Sequence, residues 1–429
     1  MGSKEINEDL VLQVTVPGSK SITNRALLLA TLAKGQSTLN GVLFSDDSRH
    51  FLKCVQDLGF ETGVDEKNKV VTVKGLGGPV PKKEAGIYVG SAGTAARFLA
   101  AYLGVSEGTY HLDASEQMKK RPMAPLLASL KELGCEISFD EKEGFFPFTV
   151  KGKGFGCEEI SVDIEHSSQF LSALLIASTL APKDMHIRVE GSHGMAYIEI
   201  TRRMMEQFGV KAVFDETKRE YVIPAGQSYE ALDYQIEPDV SGASYFYALG
   251  ALLGVPVQVK NVTFDSMQGD IGFLKILQQM GCYLLSGEDG IVLYPPLDGV
   301  LHGVTADMST CSDQAITLAA IAPFAKEPTT IKGIGHIRFQ ECNRLSAIVT
   351  ELRKMGITCE ETESSITIYP GEPKACVVDT YDDHRMAMGF ALIGLKAEGI
   401  VIDNPGCCRK TFENYFDVLG DCLETINEG

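Results

Sequence analysis

The sequence predicts an α/β fold assembled from repeated units and gathered into at least two globular domains. Three observations predict it. At five places, residues 54–75, 130–152, 204–226, 277–296 and 352–371, a helical stretch runs into Leu-Gly, Phe-Gly or Met-Gly and then into two short strand-like runs. The glycines that close these helices, Gly59, Gly134, Gly209, Gly281 and Gly356, recur at intervals of roughly 75 residues, and a weaker sixth copy ends at Leu419-Gly420. Finally, 429 residues at 44% hydrophobic content exceed one ordinary core and suffice for two.

Each copy carries its own justification. Apolar residues fall at helical spacing (Leu352 and Met355 before Gly356), the glycine suits a left-handed helix stop, and two β-branched runs flank a polar turn. One helix with one hairpin cannot bury its own apolar face, so copies must pack on one another. The repeat is longer than that of the usual solenoids and holds a second helical segment, such as 26–32 or 169–180. Globular domains of three units each therefore fit better than an open array.

Composition excludes several function classes. No run of 18 apolar residues exists, so no membrane-spanning helix is expected, and the charged start (Lys4, Glu5, Glu8, Asp9) is unlike a secretory signal. Ile6 stands where a myristoylated Met-Gly start wants Ser or Thr. Eleven cysteines show no ligand spacing, which argues against zinc and for a reducing cytoplasm, with the Cys407-Cys408 pair read as unbonded small side chains. A formal net charge of −18 argues against nucleic acid or an anionic membrane as partner. A small anion remains possible if cations gather locally.

They gather in the connections. Pro17-Gly18-Ser19-Lys20-Ser21-Ile22-Thr23-Asn24-Arg25 leads into an apolar helix whose first-turn amides face outward, an anion cradle with Lys20 and Arg25 beside it. It lacks the spacing of a Walker A loop, and a plain helix cap is an equal reading of this segment alone. Ser91-Ala92-Gly93-Thr94-Ala95-Ala96-Arg97 repeats the idea, the amides of Gly93 and Thr94 facing an anion. Lys119-Lys120-Arg121 precedes a third helix, and His166-Ser167-Ser168-Gln169 opens a fourth. Arg338, Arg344, Arg385 and Lys410 recur in equivalent connections of the second half. Such helix starts aimed at one cleft would form a positive pocket for substrates with several anionic groups.

Two carboxylates stand out among these cations. Asp313 enters an apolar helix, where the bland role is an N-cap; Glu341 lies between Arg338 and Arg344, where it is an ion pair. The alternative for both is acid–base work on a bound substrate.

Nine segments in order and register now carry a resemblance over nearly the whole chain: PGSKSITNRAL, GSAGTAARF, MKKRPM, SSQFLSALL, SMQGDI, the Asp313 helix start, QECNRL, DDHRMAM and KTFENYF. The chain resembles the 5-enolpyruvylshikimate-3-phosphate synthases. The resemblance implies two domains, each of three βαβαββ repeats about a pseudo-threefold axis (the enolpyruvyl transferase inverse α/β barrel). Residues 20–237 would form one, 1–19 with 238–429 the other, and the active site would occupy the cleft between them. It implies transfer of the enolpyruvyl group of phosphoenolpyruvate to the 5-hydroxyl of shikimate 3-phosphate, a step of aromatic amino acid biosynthesis, in a cytoplasmic monomer with neither metal nor organic cofactor. By motif position, Lys20, Ser21, Arg25, Ser167, Ser168, Gln169, Tyr197 and Asp313 would bind shikimate 3-phosphate. Lys20, Gly93, Thr94, Arg121, Gln169, Arg344, Arg385 and Lys410 would bind phosphoenolpyruvate. Asp313 would be the base on the hydroxyl, with Glu341 and Lys20 the candidates for protonating the methylene carbon.

The chain departs from the family pattern at several positions. Gln340, assigned to the substrate site, stands for a usual lysine, Ser91 for an asparagine, Phe98 for a proline and Asn343 for an aspartate. The serine expected before Tyr197 has its best counterpart in Ser192. Three rival readings weigh less. A UDP-N-acetylglucosamine enolpyruvyl transferase would carry a cysteine within 110–120, and none is there. A silent anion-binding homologue would not need Lys20, Arg121, Asp313, Glu341, Arg344, Arg385 and Lys410 together, and an RNA-end cyclase would want a basic face. Glyphosate competes for the phosphoenolpyruvate site in the resembled family, and Phe98 changes the helix behind Gly93. Inhibition weaker than in members with proline is expected, and Phe98→Pro should lower the glyphosate inhibition constant; an unmoved constant contradicts the steric argument.

Overall fold

The computed structural model describes residues 11–191 and 194–428. Ser192 and the charged segment from Lys4 to Asp9 lie outside the described residues. All five full copies fold the same way at the helix stop. In the first, the helix Asp46–Asp57 starts at a reciprocal Ser45–Ser48 capping box and ends where Gly59 takes φ +96°. There Gly59 N–H donates to the Gln56 carbonyl at 2.9 Å and Phe60 N–H to that of Val55 at 3.2 Å. The same paired bonds close the helices before Gly134, Gly209, Gly281 and Gly356, with φ from +79° to +106°. This is the left-handed stop that satisfies the last carbonyls, and only glycine takes it without strain. The next residue, Phe60, Cys135, Val210, Cys282 or Ile357, is buried each time and turns the chain into the hairpin.

Each hairpin joins a four-stranded sheet of one repeated order. Glu84–Tyr88 runs parallel to Gly108–Asp113, which pairs antiparallel with Phe148–Gly152, itself antiparallel to Glu136–Phe139. The sheets containing Glu159–Asp163, Lys34–Asn40, Val257–Val259 and Thr305–Asp307 repeat this order. The sixth copy differs. Cys376–Val378 pairs only with Ile400–Ile402, and Gly420 lies inside the helix Tyr415–Glu428 instead of stopping one. Leu419-Gly420 matches the repeat in letters alone, because no strand-forming run follows it.

Two strands are exchanged relative to chain order. Leu12–Val14 precedes the helix Lys20–Leu32, yet pairs in parallel with Val257–Val259, Leu12 opposite Val257. Its place beside Lys34–Asn40 is taken by Asp233–Gln235. The chain accordingly divides into one compact unit of Gly18–Ile236 and another made of the segment ending at Pro17 plus residues from Glu237 onward.

Within each unit three helices are buried and the sheets cover them. Gly93–Val105 is buried at every residue and Val240–Leu253 from Val240 to Leu252, as sequences apolar all round require. Lys20–Leu32 and Gln169–Ala177 accompany the first; Ala315–Ile321 and His384–Ala391 accompany the second. Sheet strands alternate instead, Leu12–Val14 and Thr305–Asp307 showing one face inward. The fold is thus mixed α/β with helices inside, and its polar helix starts are the motifs singled out from sequence. No described helix is long and apolar enough to cross a membrane.

Close packing of hairpin on helix end gives a test. A Cβ on Gly152 would lie 2.0 Å from the Ser106 carbonyl oxygen and 2.7 Å from that of Leu103. Gly152→Ala should cost about 3 kcal/mol or more, because backbone on both sides must move. Gly154→Ala, which meets nothing within 4 Å, should cost about 1 kcal/mol for its φ of +86°. Urea denaturation of the two variants should separate them in this order.

Candidate active site

In the unit Gly18–Ile236, three interior helices begin without a side-chain cap: Ser19, Ala92 and Ser168 precede Lys20–Leu32, Gly93–Val105 and Gln169–Ala177 with no side-chain hydrogen bond to the helix start. Their outward amides favour an anion. Arg25, one turn inside the first helix, is 2% exposed. It donates to Thr201 Oγ1 at 2.7 Å, to the Ser21 carbonyl at 2.9 Å and to that of Tyr197 at 3.1 Å. Burial lowers its pKa to about 10, so it remains charged at neutral pH. Its guanidinium stacks on Phe98, 5.2 Å from the ring centre. The departure at position 98 thus supplies a support that proline would lack. Lys20 Nζ lies 3.7 Å from the buried Asp47.

Around Gly93 the cations converge. A Cβ there would stand 2.6 Å from Arg97 Nη1 and 3.0 Å from Arg121 Nη1, so only glycine lets both guanidinium groups approach the turn. Arg97 Nη1 donates to the Gly93 carbonyl at 3.2 Å and to Gln169 Oε1 at 3.3 Å. Thr94 Oγ1 accepts from the buried Asn24 at 2.5 Å. Arg121 Nε is buried with no hydrogen-bond partner. Ser167 Oγ accepts from Gln169 N–H at 3.3 Å, while Ser168 packs against Gly194. Lys119 turns instead to Glu116 and Glu141, and Ser91 bonds Ser115 at 2.6 Å. Of Lys119, Lys120 and Arg121, it is Arg121 that lies against Gly93.

The second unit mixes both signs. Arg344, 1% exposed, donates to Asp383 at 2.7 and 3.2 Å, to Asp313 Oδ1 at 3.0 Å, to Glu341 Oε2 at 2.8 Å and to Gln340 Oε1. Arg385 donates to Asp313 Oδ2 at 2.7 Å. Burial lowers the pKa of both arginines and the surrounding carboxylates raise it further, leaving each above its ordinary value and charged. Lys410 Nζ lies 3.2 Å from Glu341 Oε1, near enough to pair in charge but not aligned to donate a hydrogen bond. Gln340, in place of a lysine, accepts from Arg344, and Asn343 caps Arg344–Lys354 through Ser346 N–H at 3.1 Å.

Two expectations change. Asp313 does not cap a helix: the starts at Cys311 and Gln314 have no side-chain cap, and both Asp313 oxygens face guanidinium groups. Arg338 leaves the cluster for Glu361 at 2.9 Å and the Glu363 and Thr362 carbonyls, because a closer carboxylate captures it. Sequence reasoning missed Asp47, Arg97, Asp383 and Asp270 as members of these clusters. Arg97, Asp270 and Asp383 sit inside quoted motifs but carry no signal separate from their neighbours, and Asp47 lies in none of the motifs.

Asp270 gives the pH test. It is buried beside Asp313, Asp239 and Arg385 and hydrogen-bonds Gln314. Burial first, then the charge on Asp313, raises its pKa from 3.8 to about 7. A carboxyl raised in the folded state stabilises fully below its unfolded pKa and loses that contribution as pH rises through the folded one. Asp270→Asn should therefore gain stability relative to the natural protein as pH climbs from about 4 to about 7, read by urea melts at each pH. A constant difference across that window contradicts the buried protonated state.

Comparison with known proteins identifies the family. The family profile described as EPSP synthase (3-phosphoshikimate 1-carboxyvinyltransferase) matches residues 4–419. Two relatives named 3-phosphoshikimate 1-carboxyvinyltransferase are similar along nearly their whole length. That of Trichormus variabilis is 44% identical over 96% of each chain, and that of Nostoc punctiforme 43% identical over 98% of each. A solved EPSP synthase of Acinetobacter baumannii superposes with a TM-score of 0.80 over 97% of each chain at 23% identity, a likeness of fold. The chain belongs to the EPSP synthase (3-phosphoshikimate 1-carboxyvinyltransferase) family.

Proposed function

We propose that the chain transfers the carboxyvinyl group of phosphoenolpyruvate to the 5-hydroxyl of shikimate 3-phosphate and releases phosphate, as a cytoplasmic monomer. One observation carries the residue assignment. Arg121 Nε is a buried cationic donor with no hydrogen-bond acceptor, a costly arrangement unless an anion supplies one. Phosphoenolpyruvate brings a carboxylate and a phosphate.

The roles follow from chemistry at each group. Lys20, Ser21, Arg25, Ser167, Ser168, Gln169 and Tyr197 hold shikimate 3-phosphate, the uncapped helix starts adding amides to their side chains. Gly93, Thr94, Arg121, Arg344, Arg385 and Lys410 hold the donor together with Lys20 and Gln169, and Gln340 stands at a shikimate 3-phosphate position. Asp313 takes the proton of the 5-hydroxyl while Glu341 or Lys20 gives one to the methylene carbon, and the oxygen bonds to the central carbon. That adduct is tetrahedral. Loss of a proton from the new methyl group then expels phosphate and restores the double bond, so no metal or redox partner enters the balance. An arriving donor anion can take over the guanidinium groups that Asp313 now occupies, freeing that carboxylate to act as base.

Phosphate release that requires both substrates tests the reaction, and release with phosphoenolpyruvate alone contradicts it. Asp313→Ala should lower kcat by about 10²–10⁴-fold with a smaller change in KM, since a base acts in the transition state. Arg121→Ala should chiefly raise KM for phosphoenolpyruvate. A rise in KM alone for Asp313→Ala assigns that residue to binding.

A further inference from the structure

The turn just before Arg385 sits in a conformation its residues disfavour. Tyr381 and Asp382 take φ of +52° and +54° in succession, and for an aromatic residue such a value is an outlier. One carboxylate braces this turn. Glu351, fully buried within Arg344–Lys354, accepts from Tyr381 Oη at 2.8 Å, from Asp379 N–H at 3.1 Å and from Lys354 Nζ at 2.6 Å. Tyr381 N–H donates back to Asp379 Oδ1 at 2.8 Å, and Asp383 N–H to the Thr380 carbonyl at 2.8 Å.

The braced turn touches two substrate-facing segments. Asp383, its next residue, accepts from Arg344 and from the backbone of Arg385. Asp382 Oδ1 accepts from Asn404 Nδ2 at 3.3 Å, directly before the short helix Pro405–Lys410. A buried carboxylate and two left-handed non-glycine residues are both destabilising, and neither is needed to end a strand or start a helix. Such costs persist where surrounding structure fixes a functional geometry.

We propose that Glu351 is a positioning residue for the donor anion: by locking the turn Asp379–Asp383, its carboxylate sets the places of Arg385 and Lys410. This rests on the assignment of Arg385 and Lys410 to phosphoenolpyruvate. Glu351→Gln keeps the size but loses the charge and one acceptor, so the turn relaxes toward right-handed φ and both cations shift. KM for phosphoenolpyruvate should rise about tenfold while KM for shikimate 3-phosphate stays within about twofold. Adding Asp382→Asn, which takes the left-handed conformation readily and keeps a side-chain oxygen for Asn404, should restore most of the loss.

The experiment is steady-state kinetics with thermal melts on Glu351→Gln, Glu351→Gln with Asp382→Asn, Tyr381→Phe and Arg385→Ala, all in the full chain. Tyr381→Phe removes the hydroxyl and with it the bond to Glu351, and decides the matter by the same KM split if Glu351→Gln does not fold. A lowered melting temperature with unchanged KM for phosphoenolpyruvate makes Glu351 purely structural and overturns the proposal. If Arg385→Ala also leaves that KM unchanged, the site assignment fails and the proposal falls with it. If Arg385→Ala raises it and neither brace variant does, the proposal alone is wrong.

Discussion

The Arg344 guanidinium is the group on which the second unit depends. It is 1% exposed and joins Asp383, Asp313, Glu341 and Gln340, residues from three separate stretches of chain. Breaking a buried pair by removing one partner costs about 3–5 kcal/mol because the other charge is left uncompensated. Here one cation compensates three carboxylates, so the loss would spread to every helix start around it. Arg385 and Lys410 cannot replace it, since each already answers a carboxylate of the same cluster.

Charge balance then separates the two units by task. Asp239, Asp270, Asp313, Glu341 and Asp383 face Arg344, Arg385 and Lys410, an acidic surplus that Asp270 relieves by holding a proton. Around the Lys20 and Gly93 helix starts the surplus is cationic, with Lys20, Arg25, Arg97 and Arg121 set against Asp47. Uncapped helix starts reinforce that sign. By contrast, Val240–Leu253, Arg344–Lys354 and His384–Ala391 are capped by Asp239, Asn343 and Asp383. The cations of one unit lie beside uncapped helix starts, whereas Arg344, Arg385 and Lys410 of the other are already paired with carboxylates.

Much of this was legible in the sequence because it is local. The Leu-Gly, Phe-Gly and Met-Gly stops announced five helices, since a left-handed residue with a buried successor is a property of adjacent positions. Helix starts rich in Lys and Arg were readable for the same reason. The exchanged strands at Leu12–Val14 and Asp233–Gln235 were readable only through the family resemblance, because strands that short carry no mark of which partner they pair with. The choice among neighbouring cations was not readable. Arg338 and Arg344 look alike in sequence, yet Arg338 is drawn off by Glu361, more than twenty positions away. The brace at Glu351 was hidden as well, since one acidic residue inside an amphipathic helix normally marks the solvent face.

An acidic chain that binds acidic ligands is consistent once distance is considered. The net charge of −18 is spread over the whole protein, and at physiological ionic strength such charges are screened beyond about 8 Å. Arg25, Arg344, Arg385 and Lys410 are buried, where screening is weak and the effective dielectric is low. A phosphate or carboxylate at such a site feels the nearest guanidinium groups far more than the distant surface carboxylates. Surface acidity therefore leaves the affinity of the site to its own few cations. The placement of those cations, by caps, stacked rings and braced turns, governs binding more than their number does.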